Sequence, residues 1–222
     1  MRCLRVVLVI AAMCGAMLEV AAQAPVDPNR WEPTIQKFEA EDKQNAPAKS
    51  SVVFIGSSSI ARWSNLAESF PSLKVVNRGF GGSELADSAK YASRVVVPHA
   101  PRIVVLYAGE NDLNRGVTPD VISADFGTFT DVIRKSLPST RIVVIGLKPS
   151  LLRWKLRDGM QQTNKLIRTR CAADRNCVYV DPWPVMIGKD GAPIPEFFVE
   201  DGLHMTPAGY KAWTQMLQPH LK

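Results

Sequence analysis

With 222 residues, 27 basic against 21 acidic side chains and four cysteines, the chain has the size of one domain with a sizeable core and carries a mild net charge of +6. Its basic residues are scattered, and the densest groups, Arg153, Lys155, Arg157 and then Lys165, Arg168, Arg170, lack interleaved aromatics or glycines. At helical spacing these are solvated faces, so no nucleic-acid partner is expected and the charge supports only a weak pull toward anionic surfaces or substrates.

The chain begins Met1-Arg2-Cys3-Leu4-Arg5, continues with an apolar run from Val6 to Leu18 and reaches Ala22-Gln23-Ala24 before Pro25. A basic start, a short apolar stretch and a small-x-small site predict a secretory signal peptide over residues 1–24, cleaved after Ala24. The run is too short for a confident span, and no stable membrane insertion is expected. Residues 25–222 are then one exported domain, periplasmic or secreted, of 198 residues and net charge +5. Cys3 and Cys14 leave with the leader. Cys171 and Cys177 stay, six residues apart across a predicted helix-to-strand turn. A disulfide between them suits an exported protein, and zinc does not, because no second ligand pair accompanies them.

The mature chain alternates helical and strand patterns. An amphipathic helix over Arg30–Asn45, with Trp31, Ile35 and Phe38 on one side, ends before Pro47. Val52 to Ile55 reads as a buried strand that stops at Gly56, and Ser57-Ser58-Ser59 follow at once. A helix is expected over Arg62–Phe70, a short strand over Leu73–Val76, a glycine-rich loop over Asn77–Ser83 and a helix over Glu84–Val97. Ile103 to Tyr107 is the clearest strand. Thr118-Pro119-Asp120 then gives a cap and a proline at the first helical position, for a helix to about Leu137. Strand four is Ile142–Ile145, a helix covers about Leu156–Ala172, and strand five is Val178–Val180. Asp181–Asp201 is long and irregular, and Thr206-Pro207 opens a last helix to about Leu217. Five continuous apolar strands alternating with helices predict a parallel five-stranded sheet between two helical layers, a three-layer α/β/α sandwich. Its ligand edge is the carboxyl end of the strands.

Four loops at that edge are chemically unusual. A serine after a strand and a tight glycine turn can be a nucleophile, a phosphate ligand or a helix cap. The loop with Gly79, Gly81 and Gly82 is either a plain tight turn or a source of backbone N–H groups for an oxyanion, and it lacks the dinucleotide-binding spacing. Asn111, just after strand three, is either an Asx turn or an amide donor to developing negative charge. Of three histidines, His220 lies near the end and His99 sits between prolines on an expected surface turn. His204 follows Asp201 by three residues, a spacing that lets one turn hold a carboxylate against the imidazole.

Together these loops resemble the SGNH hydrolases, the GDSL lipase/esterase family. Gly56-Ser57-Ser58-Ser59 stands where the family carries Gly-Asp-Ser-Leu, Gly82 matches the second-block glycine, Asn111 in Gly109-Glu110-Asn111-Asp112 matches the third block, and Asp201-Gly202-Leu203-His204 matches the fourth. The resemblance covers essentially the whole mature chain and departs from the pattern at Ser57, where the family has aspartate. It implies a flavodoxin-like SGNH hydrolase fold and a serine esterase with Ser58, His204 and Asp201 as catalytic triad. The backbone N–H groups of Ser58 and Gly82 and the Asn111 amide then form an oxyanion hole. No metal or cofactor is needed for that chemistry. Short acyl groups are implied, acetyl esters of carbohydrates or lipids being the family precedents, so the expected partner is a small-molecule or glycan ester. Ser57, Trp63, Arg153 and Trp154 are candidates to line the substrate entrance, with core packing the equal alternative for the tryptophans and a surface charge for Arg153. An O-acyltransferase would use the same residues. A non-catalytic carbohydrate- or cell-wall-binding module would waste the nucleophile, base and oxyanion donors, and a flavodoxin-like phosphate or flavin binder leaves Asp201 and His204 unexplained.

Overall fold

A computed structural model describes residues 27–45 and 49–222. The predicted leader, residues 1–24, lies outside the described residues. Nine α-helices and five β-strands follow one another among the described residues: α1 (Glu32–Gln44), β1 (Val52–Gly56), α2 (Ser58–Ala61), α3 (Leu66–Ser69), β2 (Val75–Gly79), α4 (Leu85–Val95), β3 (Ile103–Tyr107), α5 (Glu110–Asn114), α6 (Pro119–Ser136), β4 (Arg141–Ile145), α7 (Arg157–Ala172), β5 (Cys177–Val180), α8 (Trp183–Met186) and α9 (Pro207–Leu217). The strands form one parallel sheet in the order β2-β1-β3-β4-β5.

Strand pleating sorts the core into two layers. Val53, Ile55, Val104, Leu106, Ile142 and Val144 face α1, α4, α6 and α7, where they meet Ile35, Leu85, Phe126 and Ile167. Val52, Phe54, Ile103, Val105, Tyr107, Val143 and Ile145 face the other way, onto Ile60, Trp63, Leu66, Trp213 and Leu217. The predicted sandwich is therefore present, with both faces of the sheet covered. No helix among the described residues is long and apolar enough to cross a membrane.

The structure departs from the sequence reading in several places. The second strand runs Val75–Gly79 instead of Leu73–Val76, because Asn77 and Arg78 find partners that let polar residues sit in an edge strand. Asn77 Nδ2 donates to the Ile60 carbonyl at 2.7 Å, and Arg78 pairs with Asp42. Of the helix expected over Arg62–Phe70 only Leu66–Ser69 is formed, and Ser58–Ala61 is a separate short helix before it, because Trp63 turns into the core between the two. His99 is buried rather than on a surface turn, with Nε2 3.1 Å from an Asp42 carboxylate oxygen. Cys171, in the last turn of α7, and Cys177, the first residue of β5, are joined in a disulfide.

Chain order places the chemistry. β2 lies on one side of β1 and β3 on the other, so the loops that follow β1 and β3 diverge and leave a crevice between them at the carboxyl edge. Gly56 makes the sharp turn there. Its φ is +144°, and a Cβ would lie 1.9 Å from the Tyr107 carbonyl oxygen, which instead accepts from the Ser57 N–H at 2.9 Å.

Candidate active site

Ser58 is the first residue of α2 and points its hydroxyl at the turn before α9. Ser58 Oγ and His204 Nε2 are 2.9 Å apart, and His204 Nδ1 and Asp201 Oδ2 are 2.5 Å apart. The structure thus brings together three residues from two ends of the chain. The Asp201–His204 turn is closed locally. Asp201 Oδ1 accepts from the Leu203 and His204 N–H groups, both at 2.8 Å, and the Val199 N–H donates to the His204 carbonyl at 2.9 Å. Thr206 then starts α9, its hydroxyl accepting from the Gly209 N–H.

Electrostatics fix the proton positions. Burial pushes the Asp201 carboxyl up, but hydrogen bonds from the His204 ring and from the His204 and Leu203 N–H groups outweigh it and hold the carboxyl at about 2. An ionised carboxylate only accepts, so His204 Nδ1 carries its proton toward Asp201 and Nε2 is left to accept from the Ser58 hydroxyl. The Asp201 side chain is 41% exposed and that of His204 15%, so the pair sits at the rim of the crevice, with Ser58 further in.

The oxyanion candidates lie on α2, on the loop after β2 and on α5. Gly82 has φ +83°, and a Cβ at Gly81 would lie 3.7 Å from Ser58 Cβ, so the glycine-rich loop passes directly over the serine. Among the described residues neither the Ser58 nor the Gly82 N–H has a hydrogen-bond acceptor. Asn111, in the first turn of α5, donates through Nδ2 to the Ser83 carbonyl at 2.9 Å and accepts at Oδ1 from Arg153 at 2.9 Å. The serine hydroxyl, the imidazole and the carboxylate thus stand in series, an arrangement that suits activation of the hydroxyl for attack on a carbonyl.

The remaining sequence candidates divide. Trp63 is 1% exposed and packs among Phe54, Phe70, Tyr210 and Trp213, so it is a core residue and not part of an entrance. Ser57 is likewise buried beneath the turn. Trp154 is half-buried against Trp183, with the Arg157 guanidinium over its ring, in the loop that carries Arg153.

The sequence reading passed over a buried polar frame under the site. Glu110 accepts from Tyr107 Oη at 2.6 Å, from Lys148 Nζ at 2.8 Å and from Ser150 Oγ at 3.2 Å. Burial works against both charges, pulling the Lys148 ammonium below its ordinary pKa. Burial would also raise Glu110, but the Lys148 and Arg153 charges and the hydrogen bonds from Lys148 and Tyr107 hold its carboxyl below the usual range. The sequence signal of this frame is a lysine between Leu147 and Pro149, three residues after the apolar strand β4. Tyr210, on α9, donates to the Ser59 carbonyl at 3.0 Å and fixes α2 against the helix that follows His204.

Residues 51–212 match the family model of the GDSL-like Lipase/Acylhydrolase family. The chain is 28% identical over 186 residues to the platelet-activating factor acetylhydrolase IB subunit alpha1 of Homo sapiens, covering 82% of this chain and 78% of that protein. Among solved structures it is similar to a GDSL-like lipase from Bacteroides thetaiotaomicron, at 19% identity and TM-score 0.71, covering 84% of this chain and 96% of that one. It is also similar to an acetyl xylan esterase from Geobacillus stearothermophilus, at 17% identity and TM-score 0.64, covering 79% and 95%. The chain belongs to the GDSL-like lipase/acylhydrolase family, the SGNH hydrolases, and is a carboxylic ester hydrolase.

Proposed function

We infer that the protein hydrolyses short-acyl, chiefly acetyl, esters of a carbohydrate or lipid through an acyl-enzyme on Ser58. The observation that carries this reading is the unbroken contact chain from Ser58 Oγ through both nitrogens of His204 to Asp201. Ser58 Oγ attacks the carbonyl carbon while His204 Nε2 takes its proton. The oxyanion is met by the Ser58 and Gly82 N–H groups and the Asn111 amide. The carbon–oxygen bond to the leaving group then breaks, and His204 gives its proton to the departing alkoxide. Water attacks the acyl carbon, His204 takes a proton from it, and Ser58 leaves with that proton restored. Asp201 keeps the imidazole in the tautomer that can accept and balances its charge when protonated.

The names of a platelet-activating factor acetylhydrolase relative and an acetyl xylan esterase neighbour support the acetyl group. The basic, apolar and small-residue pattern of residues 1–24, together with the Cys171–Cys177 disulfide, supports export to an oxidising compartment. The test is p-nitrophenyl acetate hydrolysis by residues 25–222, beside Ser58→Ala and a series of longer acyl esters. The expected result is turnover that falls with acyl length and disappears in Ser58→Ala. Turnover that survives the substitution would remove Ser58 as nucleophile.

A further inference from the structure

Arg153 lies in the loop between β4 and α7, one residue after Leu152, whose N–H donates to the Gly202 carbonyl inside the Asp201–His204 turn at 2.9 Å. Its guanidinium reaches across to a different loop, where Nη2 donates to Asn111 Oδ1 at 2.9 Å. The other end of the same amide is also held, because Asn111 Nδ2 donates one hydrogen to the Ser83 carbonyl at 2.9 Å. A guanidinium only donates and a carbonyl only accepts, so these two contacts define which end of the amide is oxygen and which is nitrogen. They also fix the amide plane. One Nδ2 hydrogen is left, and with the first directed at Ser83 its direction is set by the planar geometry of the group.

We propose that Arg153 is a positioning residue for the oxyanion hole: it locks the Asn111 amide so that its free N–H is already aimed at the developing oxyanion, and its charge polarises that N–H. The inference rests on the reading of Asn111 as an oxyanion donor. It replaces the role of Arg153 as a contact to substrate, since Nη2 already has a partner in the protein and, among the described residues, the buried Nε has none. The physical reason is preorganisation. A donor that must rotate into place during the reaction gives back part of what its hydrogen bond gains, whereas one held beforehand does not. A positive charge on the far side of the amide strengthens the same donor through hydrogen-bond polarisation. The buried Glu110, held by Lys148 and Ser150 from the Arg153 loop, keeps the two loops at fixed spacing.

The experiment is a double-mutant cycle on p-nitrophenyl acetate with Arg153→Ala, Asn111→Ala and the double variant, beside wild type, Ser58→Ala and Arg153→Lys. Circular dichroism checks that each is folded. Arg153→Ala should lower kcat about tenfold to a hundredfold and change KM less than about threefold, since loss of a whole donor costs about a hundredfold or more. In the Asn111→Ala background the same change should cost less than about twofold, because its effect passes through the amide. Added guanidinium at low millimolar concentration should restore part of kcat in Arg153→Ala and none in the double variant. If Arg153→Ala does not fold, Arg153→Lys serves, with a smaller fall confined to kcat and absent from the Asn111→Ala background. Losses that multiply in full, or that fall on KM, would overturn the proposal and make Arg153 a substrate contact. With Ser58→Ala inactive, such a result removes only the role of Arg153, whereas activity in Ser58→Ala removes the catalytic reading and this inference with it.

Discussion

Substituting Lys148 by methionine removes the ammonium from a carboxylate that is almost wholly buried. Nζ and Glu110 Oε2 are 2.8 Å apart, and side-chain exposure is 0% and 4%. At an effective dielectric of about 20 the attraction at that distance is about 6 kcal/mol. Desolvation of the two ions costs several kcal/mol each and cancels most of it for the intact pair. Removing one partner loses the attraction and leaves the desolvation of the other, which typically costs about 3–5 kcal/mol. Glu110 keeps the hydroxyls of Tyr107 and Ser150 as donors, so the lower end, about 3 kcal/mol, is expected. The assay is urea unfolding at pH 7, followed by tryptophan fluorescence, for Lys148→Met, Glu110→Gln and the double variant. The double variant should lose less than the two singles added together, because the neutral amide at 110 no longer demands a counter-ion. Turnover by Lys148→Met under conditions where it is folded should also fall, since Asn111 follows Glu110 directly and Arg153 lies on the loop that Lys148 begins. A loss below about 1 kcal/mol, or single effects that simply add, would refute the reasoning.

Asp112 gives a pH-dependent prediction. Burial, and then the nearby Glu84 and Asp125 charges, raise its carboxyl to about 7, although the Leu85 N–H that it accepts works the other way. Between about pH 4 and pH 7 the folded state therefore holds a proton that the unfolded chain has released, so stability from this group is present below that window and lost as pH rises through it. From pH 5 to pH 8 the loss is about 2–3 kcal/mol. Asp112→Asn can still accept from Leu85 and should remove that slope, so its stability relative to wild type should rise by this amount over the interval; a flat difference in urea midpoints would contradict it. Replacing Cys171 and Cys177 together by alanine opens a short loop and should cost about 2 kcal/mol. It should leave turnover unchanged, because Cys177 begins β5 at the end of the sheet away from Ser58; a matching fall in turnover of the folded variant would count against that placement of the site.

The parts of this architecture that a sequence can show are those written in neighbouring residues. Thr118-Pro119 and Thr206-Pro207 mark helix starts within one residue, because a hydroxyl cap and a proline act on the next turn of backbone. Asp201 and His204 are legible for the same reason, their contact being closed by one turn. Ser58, Gly82 and Asn111 lie far from that turn in the chain; a glycine and a polar group just after a buried strand leave their roles open, and it is the resemblance to the SGNH hydrolase blocks that singles them out. Nothing local tells that Arg153 meets Asn111, 42 residues away, or that Lys148 meets Glu110, 38 residues away. Trp63 shows the converse. Next to a serine turn it looked like an entrance residue, yet a large apolar ring close behind the sheet edge gains more from the core, where Trp213 and Tyr210 from the last helix receive it.

The contacts between these loops, those legible in the sequence and those not, share one geometry. The Phe80 N–H donates to the Gly56 carbonyl, tying the loop after β2 to the loop after β1. Asn111 reaches Ser83, and Asp112 reaches the Leu85 N–H, tying the loop after β3 to the loop after β2. Arg153 and Lys148 tie the loop after β4 to the loop after β3, and Leu152 ties it to the Asp201–His204 turn. His204 and Tyr210 return to Ser58 and Ser59, which closes the ring. A single neutral hydrogen bond in such a ring is worth only about 1 kcal/mol of stability. Its removal displaces a donor or a base, though, and catalysis requires placement to about 0.5 Å. Substitutions around the ring should therefore lower turnover by more than their effect on folding predicts, while the disulfide, outside the ring, should do the reverse. The two kinds of contact are thus separable by plotting turnover against stability across one set of variants, and the neutral members of the ring should fall together below the line that the disulfide variant defines.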